Sequence, residues 1–103
     1  MKNLTQEEWK NLSSQTSNSI ILDVRTDLEL ADGKIPNAIN LDIYQAQHFV
    51  SELDKLDKSM HYFVYCKSGG RSAQACAVMQ QMGFEHTFNL EGGFSNWLGD
   101  VEI

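Results

Sequence analysis

The chain has 103 residues, of which 42% are hydrophobic and 21% are charged, a composition typical of one soluble globular domain with a modest core. Its 14 acidic and 8 basic residues give a formal net charge of −6, which argues against nucleic acid and against anionic membranes as partners. No apolar run reaches the roughly 20 residues of a membrane span, and residues 1–8 lack the apolar centre of a signal peptide. We therefore expect a cytoplasmic protein that forms a single domain over residues 1–103.

The first half of the chain alternates between predicted helices and strands. Thr5 and Glu8 have the spacing of a capping box, which predicts the start of a short helix. The apolar run 20–24 is typical of a strand buried on both faces of a parallel sheet. The next predicted elements are a brief helix over 26–31 capped by Thr26, a short strand over 38–41, and a helix with an apolar stripe over 44–56.

The second half continues this alternation. The apolar run 61–65 predicts a buried strand, and residues 73–82 predict a helix that ends at Gly83. Residues 86–90 predict another strand, and Gly92-Gly93 begins a last helical turn. Strands that alternate with helices predict an α/β fold with a mostly parallel central sheet and helices on both faces. In such sheets, functional sites form beyond the carboxyl ends of the strands.

The segment 66–72, Cys-Lys-Ser-Gly-Gly-Arg-Ser, lies between the predicted strand 61–65 and the helix that follows it. Glycines let the backbone bend with its N–H groups pointing inward, and the start of a helix adds partial positive charge, so this loop is predicted to cradle an anion. Cations beside a thiol, here Lys67 and Arg71, lower its pKa from about 8.5. Most single cysteines are merely small buried hydrophobes, but these neighbours predict that Cys66 is a nucleophile.

Cys76, ten residues after Cys66, is the only other cysteine. Residues placed at a loop and well inside the following helix are too far apart for a relaxed disulfide. Cys76 shares a helix face with Ala73, Met79 and Met82, which predicts core packing, with a resolving thiol as the alternative. None of the three histidines lies at zinc-ligand spacing from either cysteine, so we expect no metal site.

Four segments resemble, in the same order, the sequence motifs of the single-domain rhodanese family of thiosulfate sulfurtransferase-like proteins. They are Leu22-Asp23-Val24-Arg25, Glu29 with residues 33–40, the loop 66–72, and residues 89–97. The likeness extends from about residue 20 to residue 97. The second segment departs from the family pattern, which usually has a histidine where Lys34 stands and a glycine where Asn37 stands. The resemblance implies a three-layer α/β/α rhodanese-like domain.

The resemblance also implies a reaction and a site. A sulfur donor such as thiosulfate gives its outer sulfur to the catalytic Cys66, and a thiol, cyanide or a protein acceptor then takes the sulfur from the persulfide. The residues implied to bind the donor and the anionic intermediates are Lys67, Ser68, Gly69, Gly70, Arg71 and Ser72. Lys67, alone or with Arg71, is expected to meet the sulfonate of thiosulfate. No cofactor and no general base are required.

Other residues of these motifs have two interpretations each. Arg25 precedes Glu29 by four residues, which fits a supporting ion pair as well as a role in the site. Asp23, at a strand end, is expected to cap the next segment. Phe94 and Trp97 could form a pocket wall, but aromatic residues at this spacing are more often core residues.

Two other functional classes compete with the sulfurtransferase. Cysteine-dependent phosphatases or arsenate reductases of the same fold carry five residues between cysteine and arginine, whereas only four separate Cys66 from Arg71. The smaller ring suits one sulfur atom better than a tetrahedral phosphate, and no acid for a leaving alkoxide is evident. A persulfide carrier or a non-enzymatic regulatory module is the other alternative. Because regulatory versions commonly lack the cysteine, its presence favours sulfur transfer or sulfur carriage.

Overall fold

The computed structural model describes all residues 1–103. Its strands are β1 (Lys2–Leu4), β2 (Ser19–Asp23), β3 (Ile39–Asn40), β4 (His61–Tyr65) and β5 (His86–Leu90). Its helices are α1 (Gln6–Gln15), α2 (Ala46–Leu53) and α3 (Gly70–Gln81), with 3₁₀ turns at Leu28–Asp32 and Phe94–Asn96. The five strands form one sheet in the order β1-β5-β4-β2-β3, and every pair is parallel. None of the helices is both long enough and apolar enough to cross a bilayer.

The sheet separates two hydrophobic clusters. Alternate residues of the central strand β4 point to opposite faces, so that Tyr62 and Val64 pack with α2 and α3 whereas Phe63 and Tyr65 pack with α1. Trp9 of α1 has no exposed surface and meets Phe63 edge-on, with ring centroids 5.8 Å apart. Helices therefore cover both faces of the sheet, which confirms the predicted three-layer α/β/α fold.

A capping box explains where α1 begins, and a similar pair of hydrogen bonds lies just before the 3₁₀ turn, whose N-cap residue is Asp27. Thr5 Oγ1 accepts a hydrogen bond from Glu8 N at 3.2 Å, and the Glu8 carboxylate accepts one from Thr5 N at 3.0 Å, which confirms the predicted capping box. Thr26 and Glu29 repeat this reciprocal pattern at distances of 3.1 and 3.3 Å. The segment behind Thr26 is a 3₁₀ turn, Leu28–Asp32, rather than the expected α-helix.

The structure differs from the predicted elements at three further places. Strand β1 was not predicted, because its three residues contain one apolar side chain and so show no strand pattern. Helix α3 begins at Gly70 rather than at residue 73, since Gly69 takes a left-handed conformation with φ of 107° and its carbonyl accepts the first helical hydrogen bond from Ala73. Helix α2 is shorter than the predicted 44–56. Strands β2 and β3 lie within one residue of their predicted limits at each end.

Candidate active site

Cys66 directly follows strand β4, at the carboxyl edge of the sheet, and only 1% of it is exposed. Its Sγ accepts hydrogen bonds from the backbone N–H of Gly69 at 3.1 Å and from the hydroxyl of Ser72 at 3.3 Å. Gly69 turns the chain back over the sulfur, and Ser72 lies in the first turn of α3, whose N–H groups have no partner within the helix. The loop thus folds around its own cysteine as an anion cradle.

These contacts change the acidity of Cys66. Burial acts to raise the pKa of the thiol, but the Ser72 hydroxyl and the backbone N–H groups of Ser72, Gly69 and Ser68 stabilise the thiolate more strongly, so the pKa is lowered from its ordinary value. The predicted N–H groups of the loop and of the helix start thus lower the pKa of Cys66, because they reach the sulfur directly. Lys67 and Arg71, which were also expected to lower it, are not among the groups that do so.

Arg71 is bound to a carboxylate on another element. Its guanidinium donates two hydrogen bonds to Glu29, at 2.7 and 2.8 Å, and lies over the ring of Tyr44. The ion pair lowers the pKa of Glu29 to about 2. The alternative of an Arg25–Glu29 ion pair is wrong, because the Glu29 carboxylate is occupied by Arg71. Arg71 therefore fastens α3 to the 3₁₀ turn 28–32.

Arg25 belongs to a buried network of hydrogen bonds with Asp23 and the segment after β2. Its guanidinium donates three hydrogen bonds to the carboxylate of Asp23, and its Nη2 also donates to the carbonyl of Gly33 at 2.8 Å. The hydroxyl of Tyr65 donates to Asp23 at 2.7 Å and accepts from the N–H of Ile35 at 3.1 Å. Burial and the Asp23 carboxylate raise the pKa of Tyr65. Arg25 and Asp23 thus support the segment between β2 and β3.

The cysteine loop is hydrogen-bonded to the segment that follows β5. The N–H groups of Phe94 and Ser95 donate to the carbonyls of Cys66 and Lys67, each at 2.9 Å. Gly93 makes this approach possible, because a Cβ atom there would lie 2.5 Å from the Lys67 carbonyl oxygen. The second Gly-Gly pair of the sequence is therefore a packing requirement of the cysteine loop. The sequence pattern alone showed it only as the start of a turn.

The remaining predicted site residues have different surroundings. Lys67 and Ser68 are exposed, and Lys67 forms no ion pair. Trp97 packs edge-on against Trp9 at 5.7 Å between ring centroids, which supports the core interpretation. Phe94 lies in the same cluster, beneath the Arg25 guanidinium.

Cys76 has no exposed surface and lies in the hydrophobic cluster that contains Tyr62 and Val64, as predicted from its helix face. Burial raises the pKa of this thiol to about 12. Both cysteines are free thiols. The pKa values of the two thiols therefore shift in opposite directions, since hydrogen bonds favour the thiolate of Cys66 and burial disfavours that of Cys76.

Sequence reasoning missed the side chains behind the cradle. Ser72 also contacts Asn89 of β5, whose side-chain amide in turn donates to the side-chain oxygen of Asn3 on β1 at 2.9 Å. Asn89 is 4% exposed, and an asparagine inside a predicted strand was the available signal.

Fold and loop together define a class of α/β domains that hold a cysteine in a cradle of backbone N–H groups. The sequence profile of the rhodanese-like domain matches residues 5–100, and the chain belongs to this family. A protein named sulfurtransferase from Allochromatium vinosum is 35% identical over 94 residues, which are 91% of this chain and 85% of that protein. A rhodanese-like domain protein from Staphylococcus aureus has a crystal structure with a TM-score of 0.84 and 35% identity, covering 100% of this chain and 98% of that one.

The chain is also similar to part of a longer protein. A tRNA uridine(34) hydroxylase from Legionella pneumophila is 36% identical over 103 aligned positions, which span 95% of this chain and 39% of that protein. Relatives of this domain therefore include both single-domain proteins and one part of a larger protein.

Proposed function

We propose that the protein is a sulfurtransferase that moves a sulfane sulfur from thiosulfate, or from another persulfide donor, to a thiophilic acceptor through a persulfide on Cys66. The observation that carries this proposal is the Cys66 thiol, whose pKa is lowered within a short loop that directs N–H donors at the sulfur. Membership of the rhodanese-like family and the 35% identical protein named sulfurtransferase support it. The cytoplasmic location and the exclusion of nucleic acid and membranes stay predictions.

The proposed reaction has two balanced steps. The Cys66 thiolate attacks the outer sulfur of thiosulfate, the S–S bond of the donor breaks, and sulfite leaves with the bonding electron pair. The persulfide now carries the negative charge on its outer sulfur. Cyanide or an acceptor thiolate attacks that sulfur, the new S–S bond breaks, and the electron pair returns to Cys66 as thiolate. No proton has to be moved to Cys66 in either step.

The dimensions of the loop favour sulfur over phosphate as the reacting group. Four residues separate Cys66 from Arg71, and the N–H of Gly69 is already 3.1 Å from Sγ. A ring this tight accommodates one additional sulfur atom close to its donors. The oxygens of a phosphate ester would meet the backbone before phosphorus reached attack distance. Because Arg71 is paired with Glu29, its guanidinium is also not free to bind two phosphate oxygens at once, as an unpaired arginine would.

Intact-mass measurement and a thiocyanate assay test the proposal. Incubation with thiosulfate should add one sulfur atom to the protein, and addition of cyanide should remove it with formation of thiocyanate. Cys66→Ser should abolish both results, whereas Cys76→Ala should retain most of the activity, because Cys76 is buried and its pKa is raised.

One outcome would contradict the structural role of Cys76, and two would contradict the sulfurtransferase assignment. Equal loss of activity in folded Cys66→Ser and Cys76→Ala proteins would mean that Cys76 takes part in the reaction. Efficient hydrolysis of an aryl phosphate by the unmodified protein, abolished in Cys66→Ser, would make it a phosphatase. A Cys66 that gains no sulfur from thiosulfate or from a small-molecule persulfide would exclude sulfur transfer.

A further inference from the structure

The hydroxyl of Ser72 has more hydrogen-bond acceptors than it can serve. Three lie within reach of its oxygen: Asn89 Oδ1 at 2.5 Å, the Gly69 carbonyl at 3.1 Å and Cys66 Sγ at 3.3 Å. A serine hydroxyl carries a single hydrogen. Cys66 Sγ, Asn89 Oδ1 and the Gly69 carbonyl therefore compete for this one hydrogen. Ser72 itself has no exposed surface.

The orientation of the Asn89 amide is fixed by its other contacts. Its Nδ2 donates to Asn3 Oδ1 at 2.9 Å and to the Gly69 carbonyl at 3.3 Å. Turning the amide around would place its oxygen against the Gly69 carbonyl, which has no hydrogen to offer. Asn89 Oδ1 consequently faces Ser72 and can only accept from it.

We propose that Asn89 is a positioning residue that competes with Cys66 for the single hydrogen of the Ser72 hydroxyl. In the neutral thiol, Cys66 S–H donates to Ser72 Oγ, and Ser72 donates to Asn89. In the thiolate, the Ser72 hydrogen turns to the charged sulfur, because an ionised acceptor binds a donor more strongly than an amide oxygen does. Asn89 Oδ1 then loses its partner while buried, which is unfavourable. Asn89 therefore opposes ionisation of Cys66, whereas Ser72 promotes it.

The charged side chains near Cys66 form no hydrogen bond with the Ser72 hydroxyl or with the Asn89 amide. On α3, Arg71 is paired with Glu29, and Cys76 is a neutral thiol because burial raises its pKa to about 12. Lys67 is exposed, and on the neighbouring β2 Asp23 is paired with its own arginine. The face that β5 turns to Ser72 carries the uncharged Asn89. The competition for the Ser72 hydrogen is therefore separable from the surrounding charges.

The consequence for sulfur transfer rests on the proposed function. When Cys66 becomes a persulfide, the charge moves to the outer sulfur, Sγ no longer competes for the Ser72 hydrogen, and Asn89 regains its donor. Asn89 thus favours the loaded form over the free thiolate. It also keeps the thiolate reactive, since the nucleophilicity of a thiolate falls as its pKa falls.

The test measures the titration of Cys66 without any sulfur donor, so that it is independent of the proposed function. The rate of alkylation of Cys66 by iodoacetamide is followed against pH, and the modified residue is identified by mass. Asn89→Leu should lower the midpoint by roughly half a unit to one unit, and Ser72→Ala should raise it by about one unit. The double variant should equal Ser72→Ala alone, because Asn89 acts through Ser72.

Thr87→Val is the matched control. Thr87 is a buried polar residue two positions earlier on β5, on the same face, and its side chain contacts Cys76 rather than Ser72. Its replacement should leave the Cys66 midpoint unchanged. Asn89→Leu with an unchanged or raised midpoint, or shifts that simply add in the double variant, would overturn the proposal.

A second measurement uses the unmodified protein and does not depend on a variant that folds. The ¹³C resonance of the Asn89 side-chain carbonyl should titrate with the midpoint of Cys66, because this oxygen loses its hydrogen-bond donor as the thiolate forms. The side-chain carbonyl of Asn3, which keeps its donor, should shift much less. An Asn89 carbonyl resonance that stays constant while Cys66 ionises would equally overturn the proposal.

Discussion

Lys67 is the cation of the cysteine loop that no carboxylate neutralises. The other cation of the loop, Arg71, has both sides of its guanidinium engaged by Glu29, so its charge is largely balanced. Lys67 is exposed beside Cys66 and is free to meet an incoming anion. The protein as a whole carries a charge of −6, which makes one unpaired cation at the site more important for an anionic donor.

Lys67→Ala should raise the KM for thiosulfate more than it lowers kcat, because a point charge that attracts the sulfonate contributes to binding before and during the reaction. A several-fold increase in KM is expected, and it should shrink as the ionic strength rises. Lys10→Ala removes the same charge from an exposed position on α1 and serves as the control. A Lys67→Ala protein with unchanged KM would exclude Lys67 as a donor contact.

The sequence predicts that Cys66 is a nucleophile and that the N–H groups of its loop face the sulfur, but it does not predict which residues outside the loop bind Arg71 and Ser72. Cys66 could be predicted because a strand end, two glycines and a helix start stand next to it in the chain. Glu29, which binds Arg71, and Asn89, which binds Ser72, are separated from these partners by 42 and 17 residues, so no local spacing relates them.

At the scale of elements, the Arg71–Glu29 ion pair joins the start of α3 to the 3₁₀ turn 28–32. Both side chains are mostly buried, with 18% and 24% exposed. The pKa of Glu29 is about 2 in the folded protein, below its ordinary value of 4.5. A lowered folded pKa contributes stability above the unfolded pKa, and this contribution is lost as the pH falls through the folded pKa. The stability contributed by the ion pair is therefore lost between about pH 4.5 and about pH 2.

Glu29→Gln should lower the free energy of unfolding at pH 7 and make its pH dependence less steep between pH 4.5 and pH 2. The amide retains the shape of the side chain but cannot ionise, so the proton linkage of this site disappears. Urea unfolding at a series of pH values measures both effects. Glu7→Gln, at an exposed position of α1, is the control. An identical slope in Glu29→Gln and the unmodified protein would show that the ion pair is not a source of acid sensitivity.

Gly93 fixes the distance between the segment after β5 and the cysteine loop. Gly93→Ala places a Cβ atom 2.5 Å from the Lys67 carbonyl oxygen and 2.6 Å from that of Cys66. Backbone cannot yield as a flexible side chain does, so the loop must shift. We expect a loss of stability of roughly 1–3 kcal/mol and a large loss of Cys66 reactivity, measured by urea unfolding and by alkylation rate.

Gly70→Ala is the matched comparison for the stability of the Gly93 variant. An added Cβ at Gly70 has no heavy atom within 4 Å, and Gly70 lies in the first turn of α3. Alanine is favoured over glycine in a helix, so this variant should be as stable as the unmodified protein or slightly more so. Equal stabilities of Gly93→Ala and Gly70→Ala would contradict the close packing of the two loops.

At the scale of the whole molecule, the α/β class and the parallel sheet could be predicted because apolar strand runs alternate with helices. The position of the chain's first strand could not. The segment 2–4 is short and mostly polar, yet it pairs with β5 as the edge strand of the sheet. Its place depends on contacts with residues 88–90 at the other end of the chain, and sequence periodicity contains no information on such pairing.

Removal of residues 1–4 should therefore destabilise the whole sheet. The deletion eliminates the pairing of β1 with residues 88–90 and the hydrogen bond from Glu91 N to the Leu4 carbonyl, and it exposes β5 as a new edge. We expect a loss of about 2 kcal/mol, which lowers Tm by roughly 8–16 °C. Removal of residues 101–103 is the control, since this end forms an isolated bridge between Glu102 and Lys34, and the side chain of Ile103 is 97% exposed. Thermal unfolding measures the Tm of both truncated proteins. If removal of residues 1–4 lowers Tm no more than removal of residues 101–103, β1 is dispensable for stability.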